Sequence, residues 1–382
     1  HSWVQQGNRR EDSAILYRSN AQSRVLEAAL LQADIPYRIY GGQRFYERLE
    51  VKNALSYMRL MMNCHDDTAF ERVVNVPTRG IGDRTVEMIR EVARDAQVSL
   101  WSAAEKIVTE KRMAARATNA VAGFMQLINE MSGQLDELPL HEQADHAIER
   151  SGLIEMHRRE KGERGQARVE NLEELVGACR NFEPEEKDQP ILPQFLDQVA
   201  LDSGDRQADE DQDAVQLMTL HSAKGLEFPL VFLAGMEENL FPHKMSLEEP
   251  GRLEEERRLA YVGITRAMQK LYLTFAESRS IYGSESFNSV SRFVRDIPKE
   301  VIEEVRLQST VSRPTSYARG ALSSDQGDDT GFALGQSVNH QVYGEGVILN
   351  FEGNGPRARV HVSFANAGTK ILILASANLA AL

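Results

Sequence analysis

The 382-residue chain is 42% hydrophobic and 26% charged, which is typical of a globular protein long enough for two or three domains. Its formal net charge of −13 excludes a protein that coats nucleic acid through bulk positive charge, so any DNA contact has to be local. The two distant cysteines, Cys64 and Cys179, and the lack of a signal peptide or a long apolar run predict a soluble, cytoplasmic protein with no disulfide, no metal site and no membrane contact.

The first forty residues predict one strand–helix–strand unit of a parallel sheet. A β-rich run at 13–18 leads through two helix-capping residues into a helix over 21–31 and a second strand over 35–40. From Val51 to about Glu183, helical patterns dominate and are interrupted at proline and glycine residues, and the polar, acidic stretch 202–213 predicts a solvent loop. The long helical segment predicts a helical insertion in the sheet.

The sheet pattern resumes after residue 212. Two runs of the buried-strand type, 215–220 and 229–234, flank the segment 221–228. We expect that segment to project from the carboxyl edge of the sheet, where α/β proteins bind ligands. A helix is predicted over 252–268, with Tyr261 on the same side as other apolar residues, and a strand is predicted over 270–275.

The last part of the chain differs in composition. Residues 305–331 are rich in Ser, Arg, Gly and Asp without periodicity, which predicts a linker. Beyond it, short alternating runs such as 358–364, separated by Gly-containing turns, predict a small closed β-barrel over 332–382.

Two sequence strings carry the strongest functional signal. Residues 218–228 read Met-Thr-Leu-His-Ser-Ala-Lys-Gly-Leu-Glu-Phe, and residues 253–267 read Leu-Glu-Glu-Glu-Arg-Arg-Leu-Ala-Tyr-Val-Gly-Ile-Thr-Arg-Ala. They resemble motifs V and VI of the UvrD/PcrA/Rep branch of superfamily 1 DNA helicases. The sequence has no Gly-x-x-x-x-Gly-Lys-[Ser/Thr] loop, which holds the phosphates in P-loop ATPases.

The resemblance implies an α/β fold. It divides the chain into a partial RecA-like (P-loop NTPase-type) parallel sheet domain at 1–41 and 213–304, a helical 2B domain at 42–212, and a Tudor- or SH3-like barrel at 332–382. It also implies a 3′-to-5′ DNA helicase of DNA repair that binds ATP and Mg²⁺ together with a first RecA-like domain carrying the Walker A loop. The chain alone is therefore expected to lack ATPase activity, and its start at His1 fits a truncated polypeptide.

The resemblance assigns three residues to ATP. Arg266 matches the arginine finger on the γ-phosphate, Glu227 matches the residue that meets the ribose, and Gly225 lies in the same motif V loop. We expect Arg266 at the rim of a nucleotide cleft, near Glu227 and the ligand edge of the sheet. Taken alone, an arginine near a helix end is explained by the helix dipole, and the 221–228 segment by a capped turn with a solvated lysine.

The resemblance assigns nine residues to DNA. They are Asn20, His221, His243 and Tyr282 for the single strand and the fork, and Thr78, Arg79, Gly80, Gly82 and Arg84 for the duplex ahead of it. Tyr282, at a predicted hairpin tip, would stack on the last base pair, and the two glycines would let the backbone approach a phosphate at a helix start. From the residues alone, Asn20 is a helix cap, His243 a surface histidine, Tyr282 a core residue and the Gly-x-Gly segment a plain loop.

The predicted barrel is similar to the appendage that meets RNA polymerase in UvrD and PcrA, so RNA polymerase and DNA repair proteins are the expected protein partners. Two other functions stay open. One is a non-catalytic DNA- or RNA-polymerase-binding module left by truncation, and the other is a RecB-like helicase–nuclease. The second is disfavoured, because the sequence has no Asp…Asp-x-Lys nuclease pattern.

Overall fold

The computed structural model describes residues 2–135, 138–160, 162–204, 212–248, 251–276, 278–281, 284–305, 337–352, 359–364, 368–373, 377 and 379–381. The chain divides into two compact units, His1–Glu304 and Val305–Leu382. The predicted linker lies outside the described residues, apart from its first residue. Within the first unit, the sheet part (1–41 and 213–304) and the helical part (42–212) have separate hydrophobic cores, and their division into two domains stays a prediction.

Five strands form the sheet of the first unit. They are β1 (Ser13–Tyr17), β2 (Tyr37–Ile39), β3 (Val215–Thr219), β4 (Phe228–Ala234) and β5 (Ala267–Thr274). Their order is β2-β3-β1-β4-β5, and every neighbouring pair is parallel. The predicted strand–helix–strand unit is present, but β3 lies between its two strands, so both ends of the helical part return to one sheet. This confirms the predicted α/β class.

The α-helices are α1 (Ser2–Gln5), α2 (Ser23–Gln32), α3 (Leu49–Met62), α4 (Asp67–Val73), α5 (Asp83–Ala96), α6 (Leu100–Thr109), α7 (Ala115–Ser132), α8 (Leu140–Ser151), α9 (Leu153–Arg158), α10 (Glu163–Arg180), α11 (Ile191–Gly204), α12 (Lys244–Glu248), α13 (Arg252–Ile264) and α14 (Arg292–Arg295). Short 3-10 helices lie at Arg10–Asp12, Asn20–Gln22, Phe45–Glu47 and Lys299–Val301. None of the described helices is long and apolar enough to cross a bilayer.

Helices α3 to α11 build the helical part around one apolar core. Helix α3 runs through it and contacts α4, α7, α8, α10 and α11. Its residues Val51, Ala54 and Met58 are fully buried at the three- and four-residue spacing of one helix face. The Phe70 ring meets Phe124 edge to face, with centroids 5.5 Å apart, a geometry that aromatic pairs prefer. The helices predicted after residue 42 are therefore observed.

Helices cover both faces of the sheet. Leu259 and Ala260 of α13 pack on one face, and Leu26 and Leu30 of α2 pack on the other. Both faces of β1 are consequently buried, which is the usual state of a strand in a parallel sheet.

The predicted helix over 252–268 is wrong at its end. Helix α13 stops at Ile264, and β5 already begins at Ala267, because that residue pairs with Phe228 of β4. The predicted apolar side is correct at Ala260, which is buried, and wrong at Tyr261, which is 69% exposed. The buried residues of α13 are Glu256, Leu259, Ala260 and Gly263.

Gly263 lets α13 approach the sheet closely. A Cβ atom there would lie 2.5 Å from Cδ2 of Leu220 and 3.2 Å from Cδ1 of Leu233, and both leucines are fully buried. We expect Gly263→Ala to lower the free energy of unfolding by about 1–3 kcal/mol, because the core has to shift to admit the methyl group. Urea unfolding followed by circular dichroism measures this loss.

Gly123→Ala is the matched control. Gly123 lies inside α7, and a Cβ atom added there would have no neighbouring atom within 4 Å. Alanine at this position should raise the free energy of unfolding by about 0.5–1 kcal/mol through its higher helix propensity. Equal effects of the two substitutions would contradict a close approach of α13 to the sheet.

Two antiparallel sheets complete the structure. Strands β6 (Ser278–Ile281) and β7 (Ser284–Phe287) pair as a hairpin, and the predicted fork residue Tyr282 lies outside the described residues. In the second unit the strands are β8 (Ser337–His340), β9 (Gly344–Glu352), β10 (Arg359–Phe364), β11 (Gly368–Ile373) and β12 (Leu379–Ala381), in the order β11-β10-β9-β8-β12. Val338, Val360 and Val362 form its core, and two of the predicted inward positions of the run 358–364 are therefore buried.

Candidate functional site

Two predicted DNA-binding residues follow the carboxyl ends of neighbouring strands. Asn20 lies three residues after β1, and His221 lies two residues after β3, which pairs with β1. The ends of β1 and β3 are direct neighbours, because the Leu220 amide donates to the Tyr17 carbonyl at 2.9 Å. Both side chains are exposed. The structure therefore places Asn20 and His221 at the same edge of the sheet, where such folds bind ligands.

The loop from His221 to Glu227 then crosses to the opposite edge. Glu227 directly precedes β4, and Arg266 directly precedes β5. The Phe228 amide donates to the Arg266 carbonyl at 2.9 Å, so the two chain segments are neighbours. The expectation that Glu227 and Arg266 lie at the carboxyl edge is therefore wrong. A connection between parallel strands has to return to the amino edge before the next strand begins.

Neutral groups hold the Arg266 guanidinium. Its Nη1 donates to the Leu226 carbonyl at 2.8 Å, Nε to the Val262 carbonyl at 3.0 Å, and Nη2 to Thr265 Oγ1 at 3.1 Å. Among the described residues no carboxylate pairs with it. These bonds orient the half-buried guanidinium without neutralising its charge. Arg266 can therefore receive an anion at this edge.

Two other predicted ATP-binding residues flank Leu226, whose carbonyl accepts a hydrogen bond from Arg266. Glu227 follows Leu226, the residue whose carbonyl accepts the Arg266 bond, and its side chain is exposed. Gly225 precedes Leu226, is exposed and has a φ of +88°, a backbone conformation that glycine adopts without strain. The backbone segments that carry Arg266 and Glu227 are therefore neighbours, as predicted.

His243 lies at the junction of the sheet part and the helical part. Its Nε2 is 3.1 Å from Oε1 of Glu170 on α10, and its backbone amide donates to Oε2 of Glu256 at 3.2 Å. Ser19 also donates to Glu170. The ring is thus held between two parts of the unit instead of standing on an open loop, and a DNA contact by His243 stays a prediction.

Glu256 is the acidic residue at the centre of this junction. Its carboxylate accepts two bonds from Nε of Arg18, at 2.9 and 3.1 Å, one from Nη2 at 2.7 Å, and one from Ser246 Oγ at 3.1 Å. Burial alone would raise the pKa of Glu256, but the hydrogen bonds and charge of Arg18 outweigh burial and hold the pKa below its ordinary value. Arg18 therefore ties α13 to the end of β1.

The Thr78–Arg84 segment combines an exposed turn with two inward-facing side chains, those of Arg79 and Ile81. Thr78, Gly80, Gly82 and Arg84 are exposed, and α5 begins directly after Gly82. The guanidinium of Arg79, a predicted duplex-DNA residue, faces inward, and its DNA contact stays a prediction. That group donates to the carbonyls of Pro77 at 3.0 Å and Ser151 at 2.8 Å, and it lies over the rings of Tyr57 and Phe124.

Comparison with known proteins gives the family. Residues 1–278 match the UvrD-like helicase C-terminal domain. The chain belongs to the UvrD-like helicase family. Residues 334–380 match the PcrA/UvrD tudor domain, which accounts for the second unit.

Several UvrD-like helicases are similar over nearly the whole chain. DNA helicase II of Escherichia coli (strain K12) is 56% identical over 380 residues, covering 99% of this chain and 53% of the relative. DNA helicase II of Haemophilus influenzae is 50% identical, covering 97% and 51%. ATP-dependent DNA helicase PcrA of Bacillus subtilis is 41% identical, covering 96% and 52%. The chain spans about half the length of these curated relatives.

The described residues of this UvrD-like chain do not fit a Mg²⁺ site. Within the ranges given above, no group of three or more His, Cys, Asp or Glu side chains is placed to hold a metal ion. The groups that fit a nucleotide are the uncompensated Arg266 cation and the exposed Glu227 carboxylate. Ligands for Mg²⁺ would have to come from other residues.

Sequence reasoning missed Arg18 and Glu256. Glu256 belongs to the string 253–267 that resembles this UvrD-like family, and Arg18 ends the β-rich run 13–18, but neither was assigned a role. The signal for Glu256 is its position on α13, because it shares the inward face with Leu259, Ala260 and Gly263 at spacings of three, four and seven residues. An acidic residue on an apolar face needs a cationic partner, and Arg18 supplies it.

Proposed function

We propose that this chain is the C-terminal half of an ATP-dependent 3′-to-5′ DNA helicase that unwinds duplex DNA in repair. The relatives that carry the names DNA helicase II and ATP-dependent DNA helicase PcrA support this proposal. The observation that carries it is the Arg266 guanidinium, which neutral carbonyls hold beside Glu227 and which no carboxylate of the described residues pairs with. A first RecA-like domain with a Walker A loop would supply the other wall of the nucleotide site.

In this proposal Arg266 acts on the γ-phosphate of ATP. Negative charge spreads over the phosphoryl oxygens in the transition state, and a positioned guanidinium stabilises it without moving a proton. The exposed Glu227 carboxylate can accept hydrogen bonds from the ribose hydroxyls, and the glycine at 225 leaves room beside the loop. The nucleotide would therefore contact the amino edge of β4 and β5. Mg²⁺ would be held by the partner domain.

DNA would contact the other edge of the sheet. Asn20 and His221 follow β1 and β3 there and are the proposed single-strand contacts, with Tyr282 and His243 as further candidates. The loop 221–227 spans both edges, so a shift at Glu227 on closure of the cleft can reach His221. For the duplex we propose the exposed turn with Thr78, Gly80, Gly82 and Arg84.

The second unit supports a proposal about protein partners. The match to the PcrA/UvrD tudor domain favours a protein-binding module, and we propose RNA polymerase or a DNA repair protein as its partner. A cytoplasmic location goes with these partners. A purely non-catalytic binding module is not favoured, because the family match extends over the segment that carries both helicase motifs.

Because the Walker A loop and the Mg²⁺ ligands are proposed to lie in another domain, we expect this chain alone to lack ATPase activity. Fusing it to the portion of the Escherichia coli DNA helicase II that it does not match should restore ATP hydrolysis that rises when single-stranded DNA is added. A coupled assay with and without oligo(dT) measures both proteins. The isolated chain should still bind oligo(dT) in a fluorescence anisotropy titration, and His221→Ala should weaken that binding.

Lys187→Ala is the control for the titration, because Lys187 is an exposed residue of the helical part. Its affinity for oligo(dT) should equal that of the wild-type chain. DNA-stimulated hydrolysis by the isolated chain would overturn the need for a partner domain. A fusion protein that folds and binds DNA but does not hydrolyse ATP would overturn the helicase assignment.

A further inference from the structure

Arg48 is a buried cation at the point where the chain passes from the sheet part into the helical part. It directly precedes α3, and it is only 8% exposed. Its Nη1 donates to the Asn20 carbonyl and to Asn171 Oδ1, both at 2.8 Å, and its Nη2 donates to Ser23 Oγ at 2.6 Å. One guanidinium thus joins the loop after β1, helix α2 and helix α10.

Carboxylates compensate the charge of Arg48 through intermediate polar groups. Ser23 Oγ donates to Oε1 of Glu27 at 2.6 Å, and Asn171 Nδ2 donates to Oε1 of Glu50 at 2.6 Å. All of these residues are buried. A buried polar network in which every member has a partner holds one geometry, because any displacement leaves an unpaired group in a medium of low dielectric constant.

The network ends on the backbone of Asn20. The Asn20 carbonyl accepts from Arg48 and also from the Ser23 amide, whereas the Asn20 side chain is exposed beyond the carboxyl edge of the sheet. Asn171, on the other branch, belongs to α10 of the helical part. A rotation of α10 away from the sheet would therefore break the Arg48–Asn171 bond, which helps to orient the guanidinium that holds the Asn20 carbonyl.

We infer that Arg48 is a positioning residue for single-stranded DNA: it fixes the Asn20 loop and makes the DNA affinity of that loop depend on how α10 sits against the sheet part. This inference rests on the proposed function, in which Asn20 contacts DNA. A lysine cannot replace Arg48, because one ammonium group on a flexible stem does not reproduce the planar fork that reaches three acceptors.

The test measures oligo(dT) affinity of the full chain by fluorescence anisotropy, at a temperature where circular dichroism shows every variant folded. Arg48→Lys and Asn171→Ala should each weaken binding by about threefold to tenfold. In a background of Asn20→Ala, Arg48→Lys should have little further effect, because the side chain that it positions is already gone. Hydrogen exchange of the Ser23 amide should be faster in Arg48→Lys, with or without DNA.

Gln143→Ala is the matched control for a loss of stability alone. Gln143 is a buried residue of the helical part whose Nε2 donates to the carbonyls of Leu135 at 2.9 Å and Leu138 at 2.8 Å. It should lower stability and leave the oligo(dT) affinity unchanged.

Four outcomes would overturn the inference, and they differ in what else they affect. If the wild-type chain binds oligo(dT) and Arg48→Lys binds equally well, only the role of Arg48 is lost. Unchanged exchange of the Ser23 amide, or fully additive effects of Arg48→Lys and Asn20→Ala, has the same consequence. If the wild-type chain does not bind oligo(dT), the proposed DNA contacts of this half fall together with the inference.

Discussion

Replacing Arg266 by alanine is expected to slow ATP hydrolysis by the fusion protein about 10³-fold or more, the effect that an arginine finger has in phosphoryl transfer. The reason is that its guanidinium is the described cation at the amino edge of β4 and β5 that no carboxylate neutralises. The coupled ATPase assay with saturating oligo(dT) measures the rate. Affinity for oligo(dT) should stay the same, because Arg266 and His221 lie at opposite edges of the sheet.

Two further variants separate charge from geometry. Arg266→Lys keeps the charge but loses the fork that holds Leu226 and Val262, so its rate should fall by nearly as much. Arg258→Ala, on the same helix, removes an exposed side chain whose ion-pair partner among the described residues is Glu255, and it should leave the rate unchanged. A rate for Arg266→Ala within threefold of wild type would refute the assigned role.

Replacing Glu256 by glutamine is expected to lower the free energy of unfolding of the first unit by about 2–3 kcal/mol, because it removes the hydrogen-bonded carboxylate of the half-buried Arg18 and leaves Glu163, at 3.9 Å, as its ion-pair partner. The carboxylate side chain is 5% exposed and the Arg18 side chain 15% exposed, so solvent screens the pair weakly. Urea unfolding at pH 7 measures the loss. Glu255→Gln, which alters an exposed surface pair on the same helix, should change stability by less than about 1 kcal/mol.

The effect of Glu256→Gln should depend on pH with a defined sign. The pKa of Glu256 is lower in the folded chain than its ordinary value of 4.5, so the unfolded chain takes up the proton first as the pH falls. The stability from Glu256 is present above pH 4.5 and is lost as the pH falls through the folded pKa. The difference between wild type and Glu256→Gln should therefore shrink below pH 4.5. A difference that grows there would mean that Arg18 does not stabilise the carboxylate.

Local sequence patterns predicted the architecture because the buried face of each element determines the spacing of its apolar residues. The strands at 13–18, 215–220 and 229–234 read as apolar runs, since a parallel sheet is covered on both faces. The helical region after residue 42 shows the three- and four-residue spacing of one buried face. The barrel strand at 359–364 alternates, and its buried positions are Val360 and Val362. Each of these signals lies within one element, so one sequence is enough to read it.

The order of the strands and the identity of the segments that pair cannot be read from the spacing of residues within one element. That β3 lies between β1 and β2, that Glu227 and Arg266 share the amino edge, and that α13 ends at Ile264 all follow from pairings between distant segments. The predicted helix ran too far because apolar spacing continues past Ile264, whereas pairing of Ala267 with Phe228 favours a strand.

The sequence by itself determined the α/β class, the helical insertion, the motif strings and the family that they resemble. Tertiary structure decided which charged groups face inward. Arg79 lies over two rings, Arg18 meets Glu256, and Arg48 joins Asn20 to Asn171. The physical reason is that a charge is buried only where partners from distant segments compensate its lost hydration, and those partners meet only when the chain is folded.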